Sequence, residues 1–144
     1  MPSVPEPAMS YLYAARGDEP IFDLEESDSV LILTMIEDPS AANYQSRQFE
    51  YNRLQKRISD DGFRYLVFDL SQCRFLDSIT VGILISLTTT VRRIGGDAAM
   101  VGTNPDISSL LSRLLLIEPE EKRAVWVSYP SRRHAIESLI SENN

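Results

Sequence analysis

The chain is poor in the residues on which much small-protein chemistry depends. Cys73 is its only cysteine, so no internal disulfide can form, and a reducing compartment suits it. His134 is its only histidine, which leaves a serine-based catalytic arrangement one base to draw on. Its glycines never form a G-x-x-x-x-G-K cradle; Gly95-Gly96 reads as a helix stop. No run reaches the roughly eighteen apolar residues of a membrane span. The N-terminus lacks a basic segment followed by an apolar run, so no secretory signal is expected and the cytoplasm is the expected location. Positive charge is scarce too. With 14 Lys and Arg against 21 Asp and Glu, the net charge is −7. A nucleic-acid module needs clustered cations to displace phosphate counterions, and an anionic membrane surface repels an acidic chain. The doublets Arg92-Arg93 and Arg132-Arg133 read as solvated helix faces.

The 144 residues fit one domain, and a domain of this size hides roughly two-thirds of the surface its unfolded chain exposes. Residues 1–19, with Pro2, Pro5 and Pro7, read as a flexible arm that Tyr11, Leu12 and Tyr13 could pin; residues 20–144 form the domain. Ile21 to Glu25 alternates as an edge strand, and the nearly all-apolar run Val30 to Ile36 predicts a strand covered on both faces. Asp38-Pro39 has the pattern of a helix start, and Tyr44, Tyr51, Leu54 and Ile58 make one helical stripe ending at Gly62. Tyr65 to Leu70 is the next buried strand, followed by a helix from Ser78 to Ile94 and a strand from Ala98 to Val101. Asn104-Pro105 opens a helix carrying Ile107, Leu110, Leu111, Leu114 and Leu115. Ala124 to Val127 is the last strand, its Trp126 read as core. Pro130 starts a final helix faced by Ala135, Ile136, Leu139 and Ile140. The order β-β-α-β-α-β-α-β-α predicts an α/β fold: a mixed sheet of about five strands, opened by an antiparallel hairpin, with about four helices.

The informative stretch runs from Phe68 to Leu84. A buried strand leads into a short loop, then an Asp77-Ser78 pair, then an apolar helix. Asp77 or Ser78 can cap the unpaired N–H groups at that helix end. A phosphoryl group on Ser78 would meet those donors and the positive helix end, so the fold tolerates it. A docked partner tolerates the added charge of about −1.5 to −2 far less easily. Ile79, Val81, Ile83, Leu84, Ile85 and Leu87 leave the helix almost no polar side, so it is either buried all round or turns an apolar side to a partner. Gly82 would let another backbone approach, and Cys73 reads as a small buried residue.

These residues resemble the STAS domain, the fold of bacterial anti-sigma factor antagonists, of stressosome proteins and of the cytoplasmic ends of sulfate transporters. Asp69 matches the family's strand-end Asp. Phe75 and Leu76 match its apolar loop residues, Asp77 and Ser78 its Asp-Ser pair, and Val81 and Gly82 its Leu-Gly. Gly95-Gly96, Asn104-Pro105 and Pro130-Ser131 fall at later landmarks, so the resemblance spans about residues 20 to 142. It implies a regulatory protein–protein module whose phosphorylation site is Ser78 and whose partner-binding residues are Asp77, Ser78, Ile79, Thr80, Val81 and Gly82. The implied partner is an anti-sigma factor or related serine kinase that phosphorylates the serine and is thereby released; a phosphatase restores binding. No catalytic residue, cofactor or metal is implied, nor a nucleic-acid or membrane partner; a weak homo-oligomer is compatible. Two positions depart from the pattern. Ile79 replaces the second serine, and Thr80 replaces the first glycine, which narrows the surface beside Ser78. A stressosome-type scaffold subunit, or a STAS domain that has lost the phospho-switch, is therefore an alternative.

Two other readings use the same residues. As an enzyme, Ser78 would be a nucleophile with His134 as base, but no complete constellation can be named. As a receiver domain, Asp69 would accept phosphate with Glu37-Asp38 near Mg²⁺, yet Lys122 stands before its strand and the element order is wrong. Glu118, Glu120 and Glu121 around Pro119 read as a solvated turn.

Overall fold

A computed structural model describes residues 21–36, 44–114 and 125–142. The expected arm over residues 1–19, the Asp38-Pro39 helix start, Leu115, the turn around Pro119 and Ala124 lie outside the described residues. Two strands open the chain, β1 (Phe22–Ser27) and β2 (Val30–Met35), paired antiparallel with Phe22 opposite Met35. Asp28 and Ser29 both take positive φ between them, at 51° and 72°, which is the twist a two-residue hairpin turn requires. Then follow α1 (Tyr44–Asp61), β3 (Tyr65–Asp69), α2 (Ser78–Arg93), β4 (Asp97–Val101), α3 (Pro105–Arg113), β5 (Ser128–Tyr129) and α4 (Arg132–Glu142). The five strands lie in the order β1-β2-β3-β4-β5, and every pair after the hairpin is parallel. The α/β fold with a five-stranded mixed sheet and, among the described residues, four helices is the one expected.

Every residue of β2 and β3 is buried, because helices cover both faces of the sheet. Alternate side chains divide the interior in two. Leu31, Leu33, Met35, Leu66, Phe68 and Met100 pack on one side beneath α1, α2 and α3. Val30, Ile32, Tyr65, Val67, Ala99 and Val101 pack on the other beneath Ala135 and Leu139 of α4. The turn into β4 is held by close approach: a Cβ on Gly96 would stand 1.6 Å from the Arg64 carbonyl oxygen.

Three boundaries differ from expectation. The apolar run ending at Val127 predicts a strand. Trp126 makes an isolated bridge and the Val127 carbonyl accepts from the Met100 N–H at 3.0 Å, but the paired residues of the ladder to β4 are Ser128 and Tyr129. Apolar character reports burial, and Trp126 is buried with its ring edge-on to Phe68, 6.1 Å between centroids. Pro130 does not open the last helix. Ser131 caps it, its Oγ accepting from the His134 N–H at 3.1 Å, and the helix begins at Arg132. Leu114 is not part of the apolar face of α3. It is the C-cap and is exposed.

Candidate functional site

The site is built where β3 gives way to α2. Leu70 donates its N–H to the Val101 carbonyl, which carries the chain one residue beyond the ladder. Cys73 turns the loop, its N–H donating to the Leu70 carbonyl at 3.0 Å. Its thiol is buried and directed at the Phe75 carbonyl, 3.0 Å away, as expected of a small interior residue. Asn104, the N-cap of α3, donates from Nδ2 to the Cys73 carbonyl at 3.0 Å. With Leu76 buried as well, the loop has anchors on both sides of Phe75, which itself stays 52 % exposed.

Asp77 then starts the helix. Its backbone is extended, and its Oδ1 accepts from the Thr80 N–H at 2.9 Å. That satisfies one of the orphan donors of the first turn. Its other oxygen meets Arg47 of α1, with 2.5 Å between Nη1 and Oδ2. Arg47 is almost wholly buried. One carboxylate therefore caps α2 and neutralises an interior cation.

Ser78 is the first residue of α2 and is exposed. Ile79 beside it is 43 % exposed. One turn on, Gly82 is exposed, and a Cβ there would meet nothing within 4 Å. The helix is therefore not buried all round. Val81, Leu84, Leu87 and Val91 fill the core, while Ile79 and Gly82, with Ile83 and Ser86 half-buried, border a groove against Arg47, Gln48 and Tyr51 of α1. The groove holds about 290 Å³. A larger hollow, about 430 Å³, lies at the other end of the sheet beside the hairpin turn, far from these residues.

Four of the six expected contact residues, Asp77, Ser78, Ile79 and Gly82, reach the surface. Thr80 and Val81 do not. Thr80 points inward, so it does not narrow the surface beside Ser78, and its Oγ1 is buried without a hydrogen-bond partner among the described residues. Ile79 alone reshapes that surface.

Asp69 belongs to a different cluster, on the α4 side of the sheet. Its Oδ1 accepts from the Ser71 N–H at 2.9 Å, and its Oδ2 pairs with Arg132 Nε at 2.6 Å. The same guanidinium reaches Thr34 Oγ1 at 2.7 Å and pairs with Glu25. Burial pushes the Asp69 carboxyl up, but the Ser71 and Arg132 hydrogen bonds outweigh it and hold the pKa below the usual carboxylate range. Asp69 in return pushes the Arg132 guanidinium up against the opposing effect of burial. Arg132 thus stays 39 % exposed at its side chain, but it is bound to Asp69 and Thr34 and not simply solvated as its basic doublet suggests. Arg133, next to it, is exposed. A carboxylate sealed by two donor groups is a poor phosphoacceptor, which removes the ground for a receiver reading. His134, on α4 and so across the sheet from α2, is exposed and rests against Tyr129 of β5.

Arg47 escaped the sequence reading. It is one polar residue of an amphipathic helix, and nothing in its spacing separates a cation that turns inward from one that is solvated. Among the described residues no cluster of three or more His, Cys, Asp or Glu could hold a metal ion, and no helix is long and apolar enough to cross a membrane.

The STAS domain profile matches residues 22–119. The chain belongs to the STAS domain family. No curated protein sequence matches it significantly. Solved structures share the fold at low identity. An anti-sigma factor antagonist from Mycobacterium paratuberculosis is 17 % identical at a TM-score of 0.62, over 85 % of this chain and 96 % of its own. The anti-sigma factor antagonist SpoIIAA, unphosphorylated, is 12 % identical at 0.62, over 83 % of this chain and 97 % of its own. SpoIIAA, a Bacillus cell-fate determinant, has also been solved phosphorylated. A chain from the stressosome, described as a signal integration and transduction hub, is 16 % identical at 0.62, over 83 % of this chain and 97 % of its own. At these identities the likeness is one of fold.

Proposed function

We propose that this STAS domain is a regulatory docking module, not an enzyme, and that phosphorylation of Ser78 switches its contact with a protein partner. The observation that carries the reading is the exposure of Ser78 at the first position of α2, flanked by exposed Phe75, Ile79 and Gly82. An exposed apolar patch next to a modifiable hydroxyl is a surface a partner can cover and a phosphate can spoil. Within the domain the phosphoryl group lies at the positive end of a helix and is tolerated. Under a docked partner its charge of about −1.5 to −2 must be desolvated. The partner that fits is an anti-sigma factor or related serine kinase, with a phosphatase resetting the serine, in the cytoplasm; similar structures named as anti-sigma factor antagonists support this.

The test uses partner captured from the native cell and then purified. Ser78→Ala should bind as the native chain does, and Ser78→Asp should bind roughly tenfold or more weakly, about 1.4 kcal/mol or above. Equal binding by both variants would remove the switch and leave the fold assignment intact. The stressosome likeness supports a second reading, a scaffold subunit. That reading predicts a very large particle on size-exclusion chromatography; the first predicts a monomer or weak dimer that forms a small complex.

A further inference from the structure

We propose that Arg47 is the positioning residue of this switch: seated between the α1–α2 groove and the carboxylate that caps α2, it holds Asp77 while Ser78 carries a hydroxyl and shares its charge with the phosphoryl group when Ser78 carries one. The inference rests on Ser78 being the modified residue. Three observations lead to it. Arg47 is almost wholly buried, and its Nη1 lies 2.5 Å from Asp77 Oδ2. Asp77 immediately precedes Ser78 and supplies its other oxygen to the Thr80 N–H at 2.9 Å. Arg47 also lines the groove that Ile79 and Gly82 border.

A phosphate on Ser78 brings a second anion next to the Asp77 carboxylate. Like charges at that spacing disfavour each other unless a cation stands between them. Arg47 is the cation already in contact with Asp77. A guanidinium presents five donors in a plane and can bind a carboxylate and a phosphoryl oxygen together. The side chain that answers the phosphate is then also a wall of the groove, so modification at Ser78 is felt several residues away on the docking face. A surface lysine would neutralise the phosphate without this consequence.

The experiment installs phosphoserine at position 78 of the full chain during translation and follows it by phosphorus NMR as pH rises through the second phosphate ionisation, near about 6. In the native background the midpoint should lie at least about half a unit below that of the Arg47→Met chain, because the guanidinium favours the dianion. Arg74→Met, which removes an exposed cation of the same loop, should move it less. The side-chain Nε–H resonance of Arg47 should shift with the same midpoint. This last readout needs no variant, so it decides the matter even if Arg47→Met does not fold. A midpoint indifferent to Arg47, or an Arg47 resonance blind to the phosphate, overturns the proposal. If phosphoserine still abolishes partner binding in that case, only the role of Arg47 is lost. If the partner binds serine and phosphoserine forms alike, the switch itself is lost, and this role with it.

Discussion

Two aspartates, Asp69 and Asp77, bracket the β3–α2 loop, and each is met by an arginine from a distant helix. The chemistry is the same and the arrangement is opposite. At Asp69 the load is spread. Arg132 binds Asp69, Thr34 and Glu25, and Asp69 also accepts from Ser71, so several elements share the cation. At Asp77 the load is concentrated, one oxygen for the helix cap and the other for Arg47. The first cluster ties β1, β2 and β3 to α4 and closes. The second leaves an exposed hydroxyl and an exposed isoleucine as its next two residues. An aspartate whose cation is shared among several elements makes a clamp that tolerates local change; an aspartate whose two oxygens do two jobs beside an exposed hydroxyl makes a position where one new charge matters.

The largest stability effect should therefore come from Asp77. Asp77→Ala removes the cap, worth about 1 kcal/mol. It also strips the carboxylate from a buried guanidinium, which costs about 2 kcal/mol once the usual penalty is reduced for the partial exposure of Asp77. Urea unfolding should show a loss of about 3 kcal/mol, the sum of these two. Asp77→Asn keeps a capping oxygen and should lose only the second part. If alanine and asparagine cost the same, the carboxylate does not hold two roles and the contrast with Asp69 fails.

Asp69→Asn should cost less, about 1.5 kcal/mol at neutral pH, because Glu25 and Thr34 still hold Arg132. Its pH dependence sharpens the comparison. The folded-state pKa of Asp69 lies below its unfolded value, ordinarily about 3.9. Its contribution is complete above that unfolded value and is lost as pH falls through the folded one. The stability gap between native and Asp69→Asn chains should thus be flat at neutral pH and close in acid. A gap that widened on acidification would contradict the network.

How much of this the sequence discloses depends on what each residue type reveals. Strands such as Val30 to Met35 are legible because a fully covered strand must be apolar on both faces. Ser78 at a helix start is legible because Asp77 is a strong cap. Arg47 and Arg132 are not, since a long cationic side chain reads alike whether it turns inward to a carboxylate or outward to water. Thr80 is hidden for a related reason: its place in the first turn says nothing of which way it faces. Ser128 and Tyr129 carry the last ladder although the apolar run stops at Val127, because pairing is a backbone property that apolar pattern reports only indirectly.

The comparison that contains the smallest effect, at Thr80, is the most discriminating, because one substitution made twice on α2 should change sign. Thr88 Oγ1 donates to the Leu84 carbonyl at 2.8 Å and accepts from Trp126 Nε1 at 2.8 Å. Thr88→Val strands a buried indole N–H and should destabilise by about 1–2 kcal/mol. Thr80 Oγ1 is equally buried and lacks a partner among the described residues. Thr80→Val keeps the shape and nearly the same helix propensity while removing an uncompensated hydroxyl, so it should stabilise by about 0.5–1 kcal/mol. Thermal unfolding of the two variants beside the native chain measures both. Were Thr80→Val to destabilise as Thr88→Val does, the Thr80 hydroxyl would have a partner that matters, and the first turn of α2 would be held by more than the single carboxylate of Asp77.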